Sequence, residues 1–408
     1  MTSSVRPQTS SRMREPKPQR PRNFDLVSGG LLYEIWRRTR LSDRELHLVH
    51  RRALATATLA WLPLLLLSAV EGRAWGAGGA MTFLRDVEVH VRMLVAVPLF
   101  MLAEVWAHRE LPPIIRHFVL DGLVTPAERP RFDAAIESAT RLRNSVVAEL
   151  LLIVFVYAVG VAVLWRTQFA LDVNTWYASA GGERLRPTLA GWWMALVSMP
   201  VFLFLLVRWC YRLLIWTRLL WQVSRLDLDL EAAHPDGMAG LHFVTVTEHA
   251  YRPILLAFGS VLSGMIANRI LHTGAALIEF KLEIVGTVLL VLFAVLGPLL
   301  VFSPNLRSTR RRGIAEYGAL GQRYAREFSR KWIRGGAAGD EQLLGSGDVQ
   351  SLADLHNAYV VVEEIPIVPF RLRNLVLPAV TVLLPLAPLL LTTFSVEELI
   401  DRLVGTLL

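Results

Sequence analysis

The run SVVAELLLIVFVYAVGVAVLW, residues 145–165, constrains the fold more than any other feature of this 408-residue chain. A helix needs about 20 apolar residues to cross the hydrocarbon core of a bilayer. Similar runs recur near 53–70, 91–107, 189–207, 253–272, 284–303 and 374–394. Hydrocarbon leaves no partner for a bare backbone N–H or C=O, so each run is expected as a helix. The composition agrees, with 53% hydrophobic and 19% charged residues, where soluble domains carry about a quarter charged. The expected fold class is all-α: a polytopic helical membrane bundle of about seven transmembrane helices with a small cytoplasmic helical cap.

The basic balance, 43 Lys and Arg against 35 Asp and Glu, first suggests a nucleic-acid binder. The positions argue otherwise. Arg-dense segments at 1–52, 108–144, 208–252 and 304–373 alternate with Arg-poor ones. Such asymmetry marks cytoplasmic loops and places the N-terminus in the cytoplasm. Partners expected on this basis are the lipid bilayer and anionic lipid head groups, with no nucleic acid. A protein partner or homo-oligomer stays open. The N-terminal MTSSVRPQTSSRMREPKPQRPRNF lacks the apolar core of a cleaved signal peptide. Residues 1–41 read as a disordered basic arm and interfacial segment, 42–303 as the bundle, and 304–373 as a cytoplasmic amphipathic segment. A Pro-broken last span at 374–394 and a tail at 395–408 follow. Cys210 stands alone, which excludes an intrachain disulfide; a quiet buried thiol is expected.

Local signals set expected helix ends. Ser42 and Glu45 have capping-box spacing. Thr125 followed by Pro126 predicts a helix start in the second Arg-dense segment. Pro378, Pro385 and Pro388 each remove a backbone donor from the last run, so it either spans with a kink or turns back. No repeat of the inverted-transporter kind is visible.

Ionisable residues within membrane runs need a partner or a function. Glu104, Glu149 and Arg208 fall at a common depth near the inner ends of the second, third and fourth runs. One account pairs Arg208 with either carboxylate as a structural pin; the other makes the carboxylates a proton or cation relay. Beyond Arg208, Arg212, Arg218 and Arg225 return at helical spacing among aromatics, as in a snorkelling interfacial extension. On the outer side, Arg269 and Glu279 to Glu283 lie at facing ends of a helical hairpin and suggest ion pairs.

The stretch LDLDLEAAHPDGMAGLHF, residues 226–243, concentrates acidic residues, His, Pro and Gly. His-Pro-Asp-Gly fits a type I turn. Asp227, Asp229 and Glu231 alternate with leucines, as on the wet face of an extended piece. With His234, Asp236, His242, Glu248 and His249 nearby, a divalent metal is the one cofactor the segment suggests, through imidazole and carboxylate. His234 and Asp236 are its candidate ligands. The spacing fits no standard zinc pattern, and no other cofactor motif is present. In the long inner segment, Ile314, Tyr317, Leu320, Tyr324 and Phe328 form an apolar stripe on a basic helix. That helix suits an anionic leaflet or the protein's own loops. A second helix follows, with Val349, Leu352 and Leu355 inward and Ser346 or Asp348 as its cap.

Three phrases, WQVSRLDLDLEAAHPDGMAGL, MIANRI with the following FKLE, and GSGDVQSLADLHNAYVVVEEIPIVPF, together resemble a group of uncharacterised bacterial polytopic inner-membrane proteins. The resemblance covers about 210–375. In that group the turn often reads His-Pro-Asp-x-x-Gly-Gly-Leu, whereas Ala239 stands at the first of those glycines here. The resemblance implies a multi-pass protein of the cell inner (plasma) membrane and no particular chemistry. Three functions remain open: transporter- or channel-like passage of an ion or small solute, interaction or sensing through the cytoplasmic loops, and a metal-dependent membrane enzyme. The first is preferred, and an enzyme is the least expected.

Overall fold

A computed structural model of the chain describes residues 24–27, 29, 48–75, 81–167, 175–181, 184–338, 341–343 and 345–392. The Ser42–Glu45 capping signal and the tail lie outside these residues. Helix α1 spans Val49–Val70, α2 Val87–Leu120, α3 Arg129–Arg143, α4 Val146–Thr167 and α5 Leu189–Ser224. A short antiparallel hairpin, β1 Ala178–Gly181 with β2 Arg184–Pro187, precedes α5. Helix α6 covers Thr247–Thr273 and α7 Lys281–Leu296. A 3-10 segment, Gly297–Phe302, joins α7 to α8, Ser303–Phe328. Helix α9, Gly347–Glu363, and α10, Arg373–Leu383, complete the chain, α10 continuing as a 3-10 segment to Thr392. The all-α class is borne out. Six helical stretches among the described residues are long and apolar enough to cross a membrane, or seven if the bent pair α3–α4 counts as one span.

The Arg-dense segments meet at one end of the bundle. Leu228 bridges Val124, and Asp229 N–H donates to the Leu123 carbonyl at 2.9 Å. Phe118 stacks on Phe302 with ring centres 5.9 Å apart. Arg312 donates to the Leu230 carbonyl at 3.5 Å, and Arg143 to that of Asp25. Spans located by hydropathy thus carry their basic connections to a common face.

Lipid as solvent explains several side-chain bonds to backbone. Pro63 in α1 has no N–H for the Leu59 carbonyl four residues earlier, and Trp193 Nε1 donates to that oxygen at 3.3 Å. Pro200 leaves the Leu196 carbonyl in the same position, and the Tyr157 hydroxyl donates to it at 3.1 Å. In the 3-10 end of the last span, Pro388 cannot serve the Pro385 carbonyl three residues back. Ser263 Oγ donates there at 2.6 Å. The prolines of that span shorten its α-helix and tighten its end without leaving the carbonyl bare.

Helices α2 and α5 share one plan. Each opens on a side-chain cap, Asp86 accepting from Val89 N–H and Thr188 from Gly191 N–H. Five α residues follow, then a π-turn of five, Arg92–Ala96 or Met194–Ser198. Proline comes two residues later, at Pro98 and Pro200. The sequences LVAVPLF (94–100) and LVSMPVF (196–202) show the same register, and Phe100 and Phe202 lie 6.0 Å apart. This is a parallel repeat, not the inverted kind, and seven residues of partial identity carry it. Both π-turns pack on α1, where Ser198 Oγ donates to the Ala60 carbonyl at 2.6 Å.

Several local expectations are corrected. The second Arg-dense helix starts at Arg129, not after Pro126; Glu128 occupies the cap and Pro130 the first turn. Ser346 is the N-cap of α9 but makes no side-chain cap bond, and the Asp348 carboxylate is held instead by Lys331 at 2.8 Å and Trp332 at 2.9 Å. Leu320 and Val349 are exposed, not inward; the rest of the stripe on α8 packs against α9, so the basic helix docks on its own segment. Cys210 is exposed on the α5 face that carries Leu214, a surface for lipid instead of protein. The outer hairpin forms no Arg269 ion pair among the described residues; Arg269 rests over the Phe280 ring and Glu279 accepts from Ala276 N–H.

Helix α6 is the central packing element, lying against α2 and α10. Small residues let helices approach closely where hydrophobic burial gives no drive. A Cβ on Gly259 would stand 2.0 Å from the Val382 carbonyl oxygen. Gly259→Ala is expected to push α10 away and cost about 1–3 kcal/mol, read as a lower Tm in detergent. Gly286→Ala, where nothing lies within 4 Å, should leave Tm unchanged.

Candidate functional site

Glu104 lies on α2, buried, and three guanidinium groups converge on it. Arg52 Nη1 from α1 donates to Oε2 at 3.1 Å. Arg208 Nη1 and Arg212 Nη1, one turn apart on α5, both donate to Oε1 at 2.9 Å. Arg208 Nε also faces Glu149 Oε1 of α4 at 3.6 Å. The sequence-predicted trio of Glu104, Glu149 and Arg208 is therefore brought together. Arg212 belongs with them instead of snorkelling, because a second carboxylate-facing position recurs four residues after Arg208. It is 3% exposed. Arg52, at the end of the first Arg-dense segment, joins them from the first turn of α1, whereas Glu104 lies midway along α2.

Aromatic groups complete the wall. Arg212 lies over the Trp209 ring at 4.8 Å, and Trp209 Nε1 donates to the Phe100 carbonyl at 2.9 Å. Tyr251 of α6 packs on Trp209. Among the described residues its buried hydroxyl has no partner, nor do Nε and Nη2 of Arg52, a residue 1% exposed. A cleft of about 10 Å³ opens beside Glu149, Arg208, Tyr211 and Arg212, room for about one water molecule.

Residues 24–27 and 29 lie against the Arg-rich side of the cluster. Phe24, Leu26 and Val27 are buried, and Phe24 stacks on Trp216. The Val27 carbonyl accepts from Arg212 Nη2 at 3.4 Å. Asp25 accepts from His108 Nδ1 at 2.9 Å. Nothing in the composition of the N-terminal arm pointed to this; the apolar Phe24, Leu26 and Val27 after a polar run were the available signal.

The turn at 226–243 is a separate structure. Leu226, Leu228 and Leu230 are buried while Asp227, Asp229 and Glu231 are exposed, as the alternation predicted. Asp236 organises the bend: its carboxylate accepts from the N–H groups of Met238 at 2.7 Å, Gly240 at 3.1 Å and His242 at 3.0 Å. His234 Nδ1 lies 2.9 Å from the same carboxylate. Burial would raise the Asp236 pKa, but those N–H groups and His234 hold it below its ordinary value. The other members do not converge. His242 Nδ1 contacts Met238 Sδ, and Glu248 pairs with His249 at 3.1 Å and Arg252 at 3.2 Å. No group of three or more His, Cys, Asp or Glu among the described residues is placed to hold a metal ion. Ala239 adopts a left-handed φ of 55° between two positive-φ glycines, Gly237 and Gly240, so the resembled pattern's glycine at this position has a backbone reason.

Comparison with protein-family models, with curated proteins and with solved structures finds no match for this chain.

Glu104→Gln should leave three guanidinium groups facing a neutral amide. Breaking a buried pair costs about 3–5 kcal/mol, to be read as loss of the folded fraction in detergent. Asp236 is ionised above its lowered folded pKa. Its contribution is therefore full above the ordinary aspartate value of 3.8 and is lost as pH falls through the folded value. Asp236→Asn should cost about 1.5–3 kcal/mol at pH 7, with the gap to wild type narrowing below pH 3.8, measured by thermal unfolding across pH.

Proposed function

We propose that this chain is a multi-pass protein of a bacterial inner membrane, N-terminus cytoplasmic, that passes a small anion. The passage would open inward at Arg52, Glu104, Glu149, Arg208 and Arg212. Arg asymmetry supports the orientation, and the motif resemblance supports the bacterial membrane. The observation that carries the transport reading is Arg52: buried, one donor on Glu104, two others without an acceptor. A buried donor left unmade costs about 1–3 kcal/mol, so its retention favours an acceptor that comes and goes. Arginine-lined constrictions serve anion pores. Glu104, already bridging three guanidinium groups, suits a fixed counter-charge better than a proton carrier, which disfavours the relay. Residues 24–27, packed on this cluster, would then act as the inner closure.

A second reading, interaction or sensing through the α8–α9 hairpin, is favoured by one observation. Leu320, Ile333, Leu343 and Val349 are exposed on that hairpin and the connection within it. The metal-enzyme reading has no assembled site behind it.

Wild-type protein in liposomes should release chloride or nitrate faster than protein-free liposomes, with potassium release unchanged. Arg52→Gln should lower the anion rate at least about tenfold, the equivalent of one lost charge-assisted hydrogen bond, while keeping helix content and a single elution peak. Anion release no faster than from empty vesicles would sink the passage and leave the hairpin reading. Equal rates in wild type and Arg52→Gln would remove Arg52 from it.

A further inference from the structure

The bilayer-facing side of the sixth crossing changes character between Phe293 and Arg307. Leu289, Leu290 and Phe293 are widely exposed on α7, as on a lipid face. The next exposed positions along α8 include Arg307 and Arg311. At this changeover two adjoining grooves, of about 630 and 560 Å³, share Pro304 and Ser308. One runs between the last turn of α5 and the 3-10 segment, floored by Trp221, Leu300 and Val301 with Arg225 at its edge. The other continues along α8 past Arg307 and Arg311.

The charge in these grooves is unanswered. Neither is lined by an acidic residue. Among the described residues Arg225, Arg307 and Arg311 take part in no ion pair, although the same helix satisfies Arg310 and Arg312 on backbone carbonyls. Arg225 instead lies over the exposed Trp221 ring at 5.4 Å, an aromatic–guanidinium pair typical of a headgroup level. Ser303 contributes a buried hydroxyl without a partner at the head of the groove. The two grooves, continuous at Pro304 and Ser308, thus each set guanidinium groups beside apolar surface, Arg225 next to Trp221, Leu300 and Val301, and Arg307 and Arg311 next to Pro304 and Ala315.

We infer that this double groove binds one anionic phospholipid, its phosphate between Arg225, Arg307 and Arg311 and its acyl chain along Trp221 and Leu300. A soluble phosphate would use the guanidinium groups alone and gain nothing from the apolar surface. The complementarity of both, at the depth where α7 leaves lipid, selects a lipid. This inference does not depend on the passage reading, because the grooves lie on the outside of the bundle.

The test titrates phosphatidylglycerol into detergent-solubilised full-length protein and counts bound lipid by native mass spectrometry. Phosphatidylcholine and inorganic phosphate serve as comparison probes. Wild type should take up phosphatidylglycerol in preference to phosphatidylcholine. Losing two surface guanidinium groups, at about fivefold each, should weaken that binding about 25-fold in the double variant Arg307→Gln, Arg311→Gln. Arg225→Gln alone should weaken it about fivefold, and Arg307→Lys with Arg311→Lys should keep most of it. All three positions are exposed, so an unchanged Tm without lipid is expected in each variant. Equal phosphatidylglycerol affinity in wild type and the double Gln variant would overturn the inference. So would equal binding of both lipids, or displacement of bound lipid by millimolar inorganic phosphate.

Discussion

Glu104 ties three helices together at one buried point. Between transmembrane helices the hydrophobic effect supplies no preference for protein over lipid, so association rests on close packing and polar bonds. One carboxylate on α2 answers guanidinium groups from α1 and from two turns of α5, while Glu149 draws α4 to the same point. An arginine within a span is costly without such a counter-charge. The partners are therefore mutually required: the arginines keep Glu104 tolerable in the membrane, and Glu104 keeps them off a route to water. Positional freedom is small, since a four-residue step on α5 places both Arg208 and Arg212 at 2.9 Å from one oxygen. The same rigidity leaves Arg52 with one satisfied edge and two open ones, which is why a structural pin and an anion site coexist here without contradiction.

Around this centre, the backbone is satisfied by a rule that water-soluble proteins seldom need. Three of the prolines in membrane helices face a side chain that fills the gap they open, Trp193 for Pro63, Tyr157 for Pro200 and Ser263 for Pro388. These donors come from neighbouring helices, so each of the three gaps is also a tie between elements. The π-turns of α2 and α5 belong to the same economy. An extra residue per turn shifts the ladder ahead of Pro98 and Pro200, so that Val97 and Met199 reach back five residues. Both turns flank α1 at equivalent positions. Two copies of one plan, pressed on a shared helix, give this half of the bundle a parallel pseudo-symmetry.

Much of this was legible in the sequence, for identifiable reasons. Spans were visible because hydrocarbon thickness fixes a minimum run, and the common face of the basic segments followed from Arg spacing alone. The alternation of Leu226, Leu228 and Leu230 with acidic residues gave a strand-like piece, since period two is a local property. Glu104, Glu149 and Arg208 were found because each violates its apolar surroundings. Arg52 and Arg212 were missed because arginine at a span end has an ordinary explanation in snorkelling, and only three-dimensional convergence separates the two cases. The α2–α5 repeat escaped because its signature is a cap, a π-turn and a proline at fixed offsets, most of which leave no residue identity behind. The cap of α9 failed for another reason: Asp348 had a stronger tertiary partner in Lys331 and Trp332, and local capping chemistry yielded to it.

The acidic bend, first suspected as a ligand site, has a mechanical role that links the membrane end to the cap. Its carboxylate is occupied by three backbone N–H groups, which fixes the left-handed run through Gly237, Ala239 and Gly240. That fixed bend sets Ala232 against Gly313 of α8, where a Cβ would stand 2.5 Å away. The same segment pairs with Val124 beyond the end of α2. A metal at His234 and Asp236 would have to break the hydrogen bonds that give the segment its shape. The chemistry that drew attention to this stretch is better accounted for as the rigid joint between the pinned helices and the cationic hairpin.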